Sequence, residues 1–291
     1  MTYLQLYVKF LKKHLKVNRP LKVVCDASNG TAGPILRETF KNNSKIKLIL
    51  INQKPDGNFP AHGPNPLAQG AMEEASKRVL KEKADLGAVF DADADRIFFI
   101  DDKGQTLPSY LTSIVLFKAS RPPFVADELV YQSLRLLKIF SSKDLLPSKV
   151  GSYYVKTEMQ KHKANVSAEY SGHFYFKDFF YADSGMLALI KMCNFISQNG
   201  LLSEFLKSLP VFSIQAIEIK NADFKIYEQE AKKIAIIKKA KIERRDGISL
   251  VFKDSFINLR ASNTEPLIRL TAGAENKVGC LKLLNFVKSN S

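Results

Sequence analysis

The chain has 291 residues, 45% of them hydrophobic and 25% charged, with a formal net charge of +15; this is ordinary for a globular protein with room for about two to three folded units. No apolar run approaches bilayer-spanning length, and the basic N-terminal stretch (Lys9, Lys12, Lys13, His14, Lys16) lacks the small-residue cleavage site of a signal peptide. The basic excess is mostly Lys spread along helical stretches, without zinc-finger spacing or an aromatic RNA-binding signature, so neither specific nucleic-acid binding nor a membrane role is expected.

Tyr3, Leu6, Tyr7, Phe10 and Leu11 recur at three- and four-residue spacing, which predicts an amphipathic helix within residues 1–16. A β run from Leu21 to Cys25, a Gly/Asn turn from Ser28 to Gly33 and a helix through Phe40 follow. A second strand, Ile46 to Ile51, leads into a long loop, a helix from about Leu67 to Glu82, and a strand from Leu86 to Phe90. Strands alternating with helices predict a mostly parallel sheet covered on both faces. Ligands of such sheets bind beyond the carboxyl ends of the strands. A second β/α stretch, from about Leu107 to Asn199, reads as helices near 109–120, 127–141, 152–163 and 183–197 with short strands near 165–168 and 173–177. Gly200 to Pro210 reads as a connection. The remainder is strand-rich: Val211 to Lys220, a helix near 223–235, strands near 237–244, 248–253, 256–260 and 267–272, and a closing helix. The expected fold class is therefore α/β: two successive mixed or parallel-sheet β/α domains, 1–105 and 106–205, then a small α+β domain, 206–291. Cys25, Cys193 and Cys280 are isolated and far apart, which gives no disulfide or zinc pattern and suits a reducing cytoplasm.

Four loops carry chemistry. Residues 87–96 read Gly-Ala-Val-Phe-Asp-Ala-Asp-Ala-Asp-Arg, a buried strand running into three alternate carboxylates and an arginine. Asp91, Asp93 and Asp95 are hard oxygen ligands for which Mg²⁺ is the fitting cation. Arg96 adds a planar donor fork for an approaching anion. A solvated acidic turn between two strands uses the same residues. The loop 55–66 has four prolines and two glycines, so it reads as stiff and structural, with His62 near a cleft. In Glu169-Tyr-Ser-Gly-His173, an extended backbone would point Glu169 and Ser171 the same way, to grip adjacent sugar hydroxyls. A hairpin turn with a surface histidine is the alternative. Residues 260–269 combine Arg260 with Ser262, Asn263 and Thr264, donors suited to a dianionic phosphate or, equally, to a polar-capped turn.

In chain order these segments resemble the α-D-phosphohexomutases, the phosphomannomutase/phosphoglucomutase family. Asp26-Ala-Ser-Asn-Gly-Thr-Ala-Gly33 is similar to the opening of that family's second domain, and Pro55-Asp-Gly-Asn-Phe-Pro60 to its proline-rich loop. Asp91–Arg96 resembles its metal loop, Glu169–His173 its sugar-binding loop and Arg260–Pro266 its phosphate-binding loop. The resemblance implies three similar α/β domains and a smaller fourth. It implies interconversion of hexose 1-phosphates and 6-phosphates through a bisphosphate intermediate, with a phosphoserine and Mg²⁺. Hexose phosphate and hexose 1,6-bisphosphate are the implied partners. By this resemblance Asp91, Asp93 and Asp95 hold the metal, and Arg96, Glu169, Ser171 and His173 contact the hexose or assist proton movement. Arg260, Ser262, Asn263 and Thr264 would clamp the distal phosphate.

The family's phosphoserine lies in a first-domain loop of the Ser-His-Asn type. Here His14, His62, His162 and His173 follow Lys13, Ala61, Lys161 and Gly172, so no serine precedes a histidine. The expectation is a mutase without the phosphoserine domain, either a truncated reading frame or half of a split enzyme whose first domain is a separate chain. A non-catalytic sugar-phosphate-binding or interaction protein is the alternative. Hydrolysis at the Asp cluster has less support, since no Asp-nucleophile context precedes it. Ala92 replaces the family's usual Gly, which tightens the loop if that position needs a positive φ. Val150-Gly151-Ser152 stands where many relatives have Gly-His. Phe98 and Phe99 are expected near a face that the first domain covers.

Overall fold

The structure, a computed structural model, describes residues 1–262 and 266–289. It opens with helix α1 (Tyr3–His14), strand β1 (Leu21–Asp26), α2 (Ala32–Phe40), β2 (Ile46–Ile51), α3 (Glu73–Glu82), β3 (Leu86–Phe90) and β4 (Ile97–Ile100). Next come α4 (Ser109–Lys118), β5 (Phe124–Asp127), α5 (Glu128–Leu137), β6 (Leu145–Ser148) and α6 (Ser152–His162). A hairpin of β7 (Val166–Ala168) and β8 (Phe174–Phe176) leads through a 3-10 turn to β9 (Ala182–Asp183), α7 (Gly185–Asn199) and α8 (Leu202–Lys207). The chain closes with β10 (Ser213–Lys220), α9 (Phe224–Lys238), β11 (Lys241–Glu243), β12 (Ile248–Val251), β13 (Phe256–Ala261), β14 (Leu267–Ala274) and α10 (Lys277–Ser289). Two compact units result: residues 1–124 with 156–209, and residues 125–155 with everything from Pro210 onward. No helix among the described residues is long and apolar enough to cross a membrane.

In the first unit, β1 and β3 are near-continuous apolar runs and are buried almost throughout, as strands covered on both faces must be. They form the middle of a sheet ordered β2-β1-β3-β4, with β1 parallel to β2 and β3 and β4 antiparallel to β3. Ala75 and Val79 of α3 close one face against Val24, Val89 and Ile100. Thr2 and Gln5 form a reciprocal capping box at the start of α1. The helix expected from Leu67 begins at Glu73, because Gly70 at φ +80° interrupts the helical path. Phe98 and Phe99 do not border an open face. They alternate along β4 and are 4% and 0% exposed.

The second unit holds β5, β6 and α5 and an antiparallel sheet ordered β10-β14-β13-β12-β11. Its core joins Ile234 of α9 and Leu284 of α10 to Leu250, Leu259 and Leu270 of the sheet. On β10, Ile217 and Ile219 pack against that core while Glu218, opposite Arg269, pairs with it at 2.6 Å. The segment 200–210 is not a bare connection: α8 occupies most of it.

Candidate metal centre

Strand β3 ends at Phe90, and the next six residues turn the chain back into β4. Asp91, 2% exposed, receives the Arg96 backbone N–H on Oδ1 at 3.1 Å and Arg96 Nε on Oδ2 at 2.6 Å. Arg96 is thus folded onto its own loop instead of extending freely from it. Two other segments pin this loop. Thr31 N–H donates to the Ala92 carbonyl at 2.8 Å, and Gly185 N–H donates to the Ala94 carbonyl at 3.1 Å. The left-handed residue is Ala94, at φ +66°, and Ala92 is not among the positive-φ positions. The tightness expected at Ala92 therefore has another cause: a Cβ on Gly30 would stand 2.2 Å from the Ala92 oxygen, so the loop is packed against a glycine.

Residues 169–173 form a turn, not the extended segment expected. Glu169 N–H donates to the His173 carbonyl at 2.9 Å and Gly172 N–H to the Glu169 carbonyl at 3.1 Å. Glu169 and Ser171 do converge, but on His173: Ser171 Oγ lies 2.8 Å from Nδ1 and Glu169 Oε2 3.3 Å from it. Glu169 is 2% exposed and also accepts the Tyr175 hydroxyl at 2.9 Å. Ser109 Oγ braces the turn through the Tyr170 carbonyl at 2.8 Å. A bridge between Arg96 and His173, and Ile97 N–H on the Gly172 carbonyl at 3.2 Å, join this turn to the acidic loop.

The seven residues Asp91, Asp93, Asp95, Arg96, Glu169, Ser171 and His173 therefore share one region of the first unit. Carboxylate oxygens of Asp91, Asp93 and Asp95 all lie within 4.8 Å of one another. Burial pushes Asp91 up to about 6, against the hydrogen bonds from Arg96. The hydrogen bond with His173 holds Asp95 below its ordinary range. Burial alone would lower His173, but Asp95 at 3.5 Å from Nε2 and Glu169 at Nδ1 carry it up to about 9. Asp95 Oδ1 is buried, with His173 Nε2 at 3.5 Å and Arg96 Nε at 4.0 Å as its ion-pair neighbours. Three carboxylate donors close together, one of them costly to ionise, suit a hard divalent cation. Asp95, His173 and Asp183 meet the same distance test. A hard cation prefers oxygen to nitrogen, so the carboxylate trio is the better donor set.

Arg260 and Ser262 lie in the second unit, and Asn263 and Thr264 lie outside the described residues. Arg260 Nε is 3.4 Å from Asp246 Oδ1, and Ser262 N–H donates to the Leu267 carbonyl at 2.9 Å. Sequence reasoning missed Tyr175, Asp183 and the hub at Asp26. Asp26, fully buried, receives Ser28 N–H at 2.8 Å and Asn52 Nδ2 at 2.9 Å, and His62 Nε2 lies 3.2 Å from it. This ties the Gly/Asn turn and the proline-rich loop to the ends of β1 and β2, a structural use of His62. The signal for Tyr175 was present: a tyrosine inside a wholly buried strand needs a partner for its hydroxyl.

Comparison with known proteins adds the family. Residues 5–104 match the model for phosphoglucomutase/phosphomannomutase alpha/beta/alpha domain II, 132–212 match domain III, and 217–283 match the C-terminal domain. The chain is 31% identical over 294 residues to a phosphomannomutase of Escherichia coli K12, covering 94% of this chain and 63% of that protein. A phosphoglucomutase/phosphomannomutase family protein of Burkholderia thailandensis superposes with a TM-score of 0.82 at 24% identity, covering 99% of this chain and 63% of that one. An N-acetylphosphoglucosamine mutase of Aspergillus fumigatus, solved with GlcNAc-6P and magnesium, superposes at 0.65 with 16% identity, over 99% of this chain and 68% of that one. The domain matches fall in the order that the motifs imply, and the α/β architecture agrees with them. The chain belongs to the phosphoglucomutase/phosphomannomutase family, matching its domains II, III and IV.

Proposed function

We propose that this chain forms the metal- and sugar-phosphate-binding part of a cytoplasmic phosphohexomutase, an isomerase that interconverts hexose 1-phosphate and 6-phosphate through a hexose bisphosphate. The observation that carries this reading is the meeting of Asp91, Asp93, Asp95, Arg96 and His173 in the first unit of a chain of this family. Asp91, Asp93 and Asp95 would hold Mg²⁺, which supplies charge neutralisation at a transferring phosphoryl group. Arg96, anchored through Nε on Asp91, turns its remaining guanidinium N–H groups to a phosphoryl oxygen. His173, fixed by Ser171 and Glu169, binds a sugar hydroxyl and moves its proton. Arg260, Ser262, Asn263 and Thr264 are the phosphate clamp. The phosphoserine that the reaction needs comes from a domain outside residues 1–291, on the same polypeptide or a separate one. The division into 1–105, 106–205 and 206–291 belongs to the same proposal, supported by the number and order of the three family matches, 5–104, 132–212 and 217–283.

A coupled assay tests it. Purified chain, Mg²⁺, a hexose 1,6-bisphosphate and the phosphoserine domain of a relative are combined with glucose 1-phosphate or mannose 1-phosphate. Turnover to the 6-phosphate is expected, dependent on Mg²⁺ and on the added domain, and lowered about 10²-fold or more by Asp93→Asn. Magnesium calorimetry on the same variant should show weakened binding. A folded chain that neither binds Mg²⁺ nor turns over, beside an added domain active with its own remainder, would reject the proposal.

A further inference from the structure

Elsewhere in the first unit, a cleft of about 960 Å³ gathers His14, Lys16, Lys118, Arg121 and Lys191, and Asp178 is the only acidic residue in its described lining. None of these five basic side chains is within ion-pair distance of a carboxylate among the described residues. Part of this has an ordinary cause. Helices α1, α4 and α7 all end here, at His14, Lys118 and Asn199, and cations complement the carbonyl ends of helices. That accounts for His14 and Lys118. It does not account for Lys191, which stands in the middle of α7. Its ammonium is half-buried over the Phe176 ring, 5.6 Å from the centroid. Burying an ammonium without an anion is costly; burial and Lys16 lower the pKa of Lys191, partly offset by Asp178. Burial and Lys191 in turn lower that of His14.

A second observation comes from the wall of the cleft. Ser120 Oγ is buried and has no hydrogen-bond partner among the described residues. An unsatisfied buried hydroxyl beside unpaired cations is what an absent acceptor leaves behind. We propose that this cleft binds a small polyanion of the phosphate class. It shares no lining residue with the Asp91–Arg96 and Glu169–His173 loops, and the proposal does not depend on the mutase reading. The volume sits at the upper end of small-molecule pockets, roughly 300–1,000 Å³, so a phosphorylated ligand larger than one phosphate fits. Cations converging on a concavity suit such a ligand better than a nucleic-acid backbone, which calls for a stripe.

Calorimetry with sodium pyrophosphate on the full chain tests the proposal, with EDTA present so that no metal can bridge the ligand to the acidic loop. Binding is expected, weakened at least about tenfold in Lys191→Gln and in Arg121→Gln, roughly the worth of one charge-assisted hydrogen bond. The same weakening is expected in an Arg260→Gln background, in which the proposed phosphate clamp has lost its arginine. Arg121 is exposed, so its variant answers the question even if Lys191→Gln fails to fold. Absence of binding, equal affinity in Arg121→Gln, loss only in Arg260→Gln, or binding of an oligonucleotide but not of pyrophosphate would each overturn it.

Discussion

Gly172 carries two constraints at once. Its φ of +95° is a region that L side chains rarely adopt, and a Cβ there would stand 2.6 Å from the Phe98 ring. Phe98 is itself buried in β4, so the ring has little room to retreat. Gly172→Ala should therefore cost about 1–3 kcal/mol, read as a lower urea midpoint with an unchanged m-value. An unchanged midpoint would mean that the 169–173 turn is less tightly held than its hydrogen bonds imply. At this scale the sequence was legible where residues act as neighbours. The three aspartates and Arg96 are nearly consecutive, so their meeting needed only a turn. Glu169 and Ser171 converge for a different reason from the one expected: the two-residue period applies to extended chain, and a turn replaces it here. The Asp26 hub was invisible for another reason. Its partners Asn52 and His62 are 26 and 36 positions away, and no spacing rule joins them.

Helices and strands were legible where one period dominated. The alternation of strands and helices through β3 gave the parallel core of the first sheet. The short elements β6 and α8 escaped, being too brief for a period to show. The helix was expected to stop near 235 and a strand to start near Ile237, which like Ile236 is β-branched. Instead α9 continues to Lys238 and stops with Lys239 left-handed, leaving both isoleucines mostly exposed. What holds α5 to the last sheet was equally unreadable. Glu128, 1% exposed, accepts Arg245 Nε at 2.8 Å, Gln132 at 2.7 Å and Ser249 at 2.7 Å, and Arg245 reaches on to Glu243. Burial pushes the pKa of Glu243 up, but hydrogen bonds from Lys241, Gln132 and Arg245 outweigh it and hold it at about 2. A depressed carboxylate binds its proton more readily when unfolded. Its contribution is thus complete above the ordinary glutamate range and is lost as the pH falls toward 2. Unfolding free energy should fall between about pH 5 and 2, and fall less steeply in Glu243→Gln. Parallel pH profiles of the two proteins would place the acid sensitivity elsewhere.

For the molecule as a whole, 44 basic against 29 acidic residues set long-range repulsion against many local attractions. The attractions include helix-surface pairs such as Lys77–Glu73, Lys161–Glu158 and Lys232–Glu228. Each lies at least partly in solvent, where such pairs contribute little. The repulsion acts among all surface charges and is concentrated at the cleft around Lys191. Sodium chloride weakens both, but not equally. Raising it from about 10 to 150 mM shortens the screening length from about 30 to 8 Å. This removes repulsion across the surface, while paired atoms within 4 Å keep most of their attraction. The first thermal transition should therefore rise with salt, by about 2–4 °C for each kcal/mol of repulsion relieved. Chloride is the right anion for this test, because a multivalent one would also occupy the cleft. A transition that falls with sodium chloride would mean that the attraction of local pairs outweighs the repulsion of the net charge.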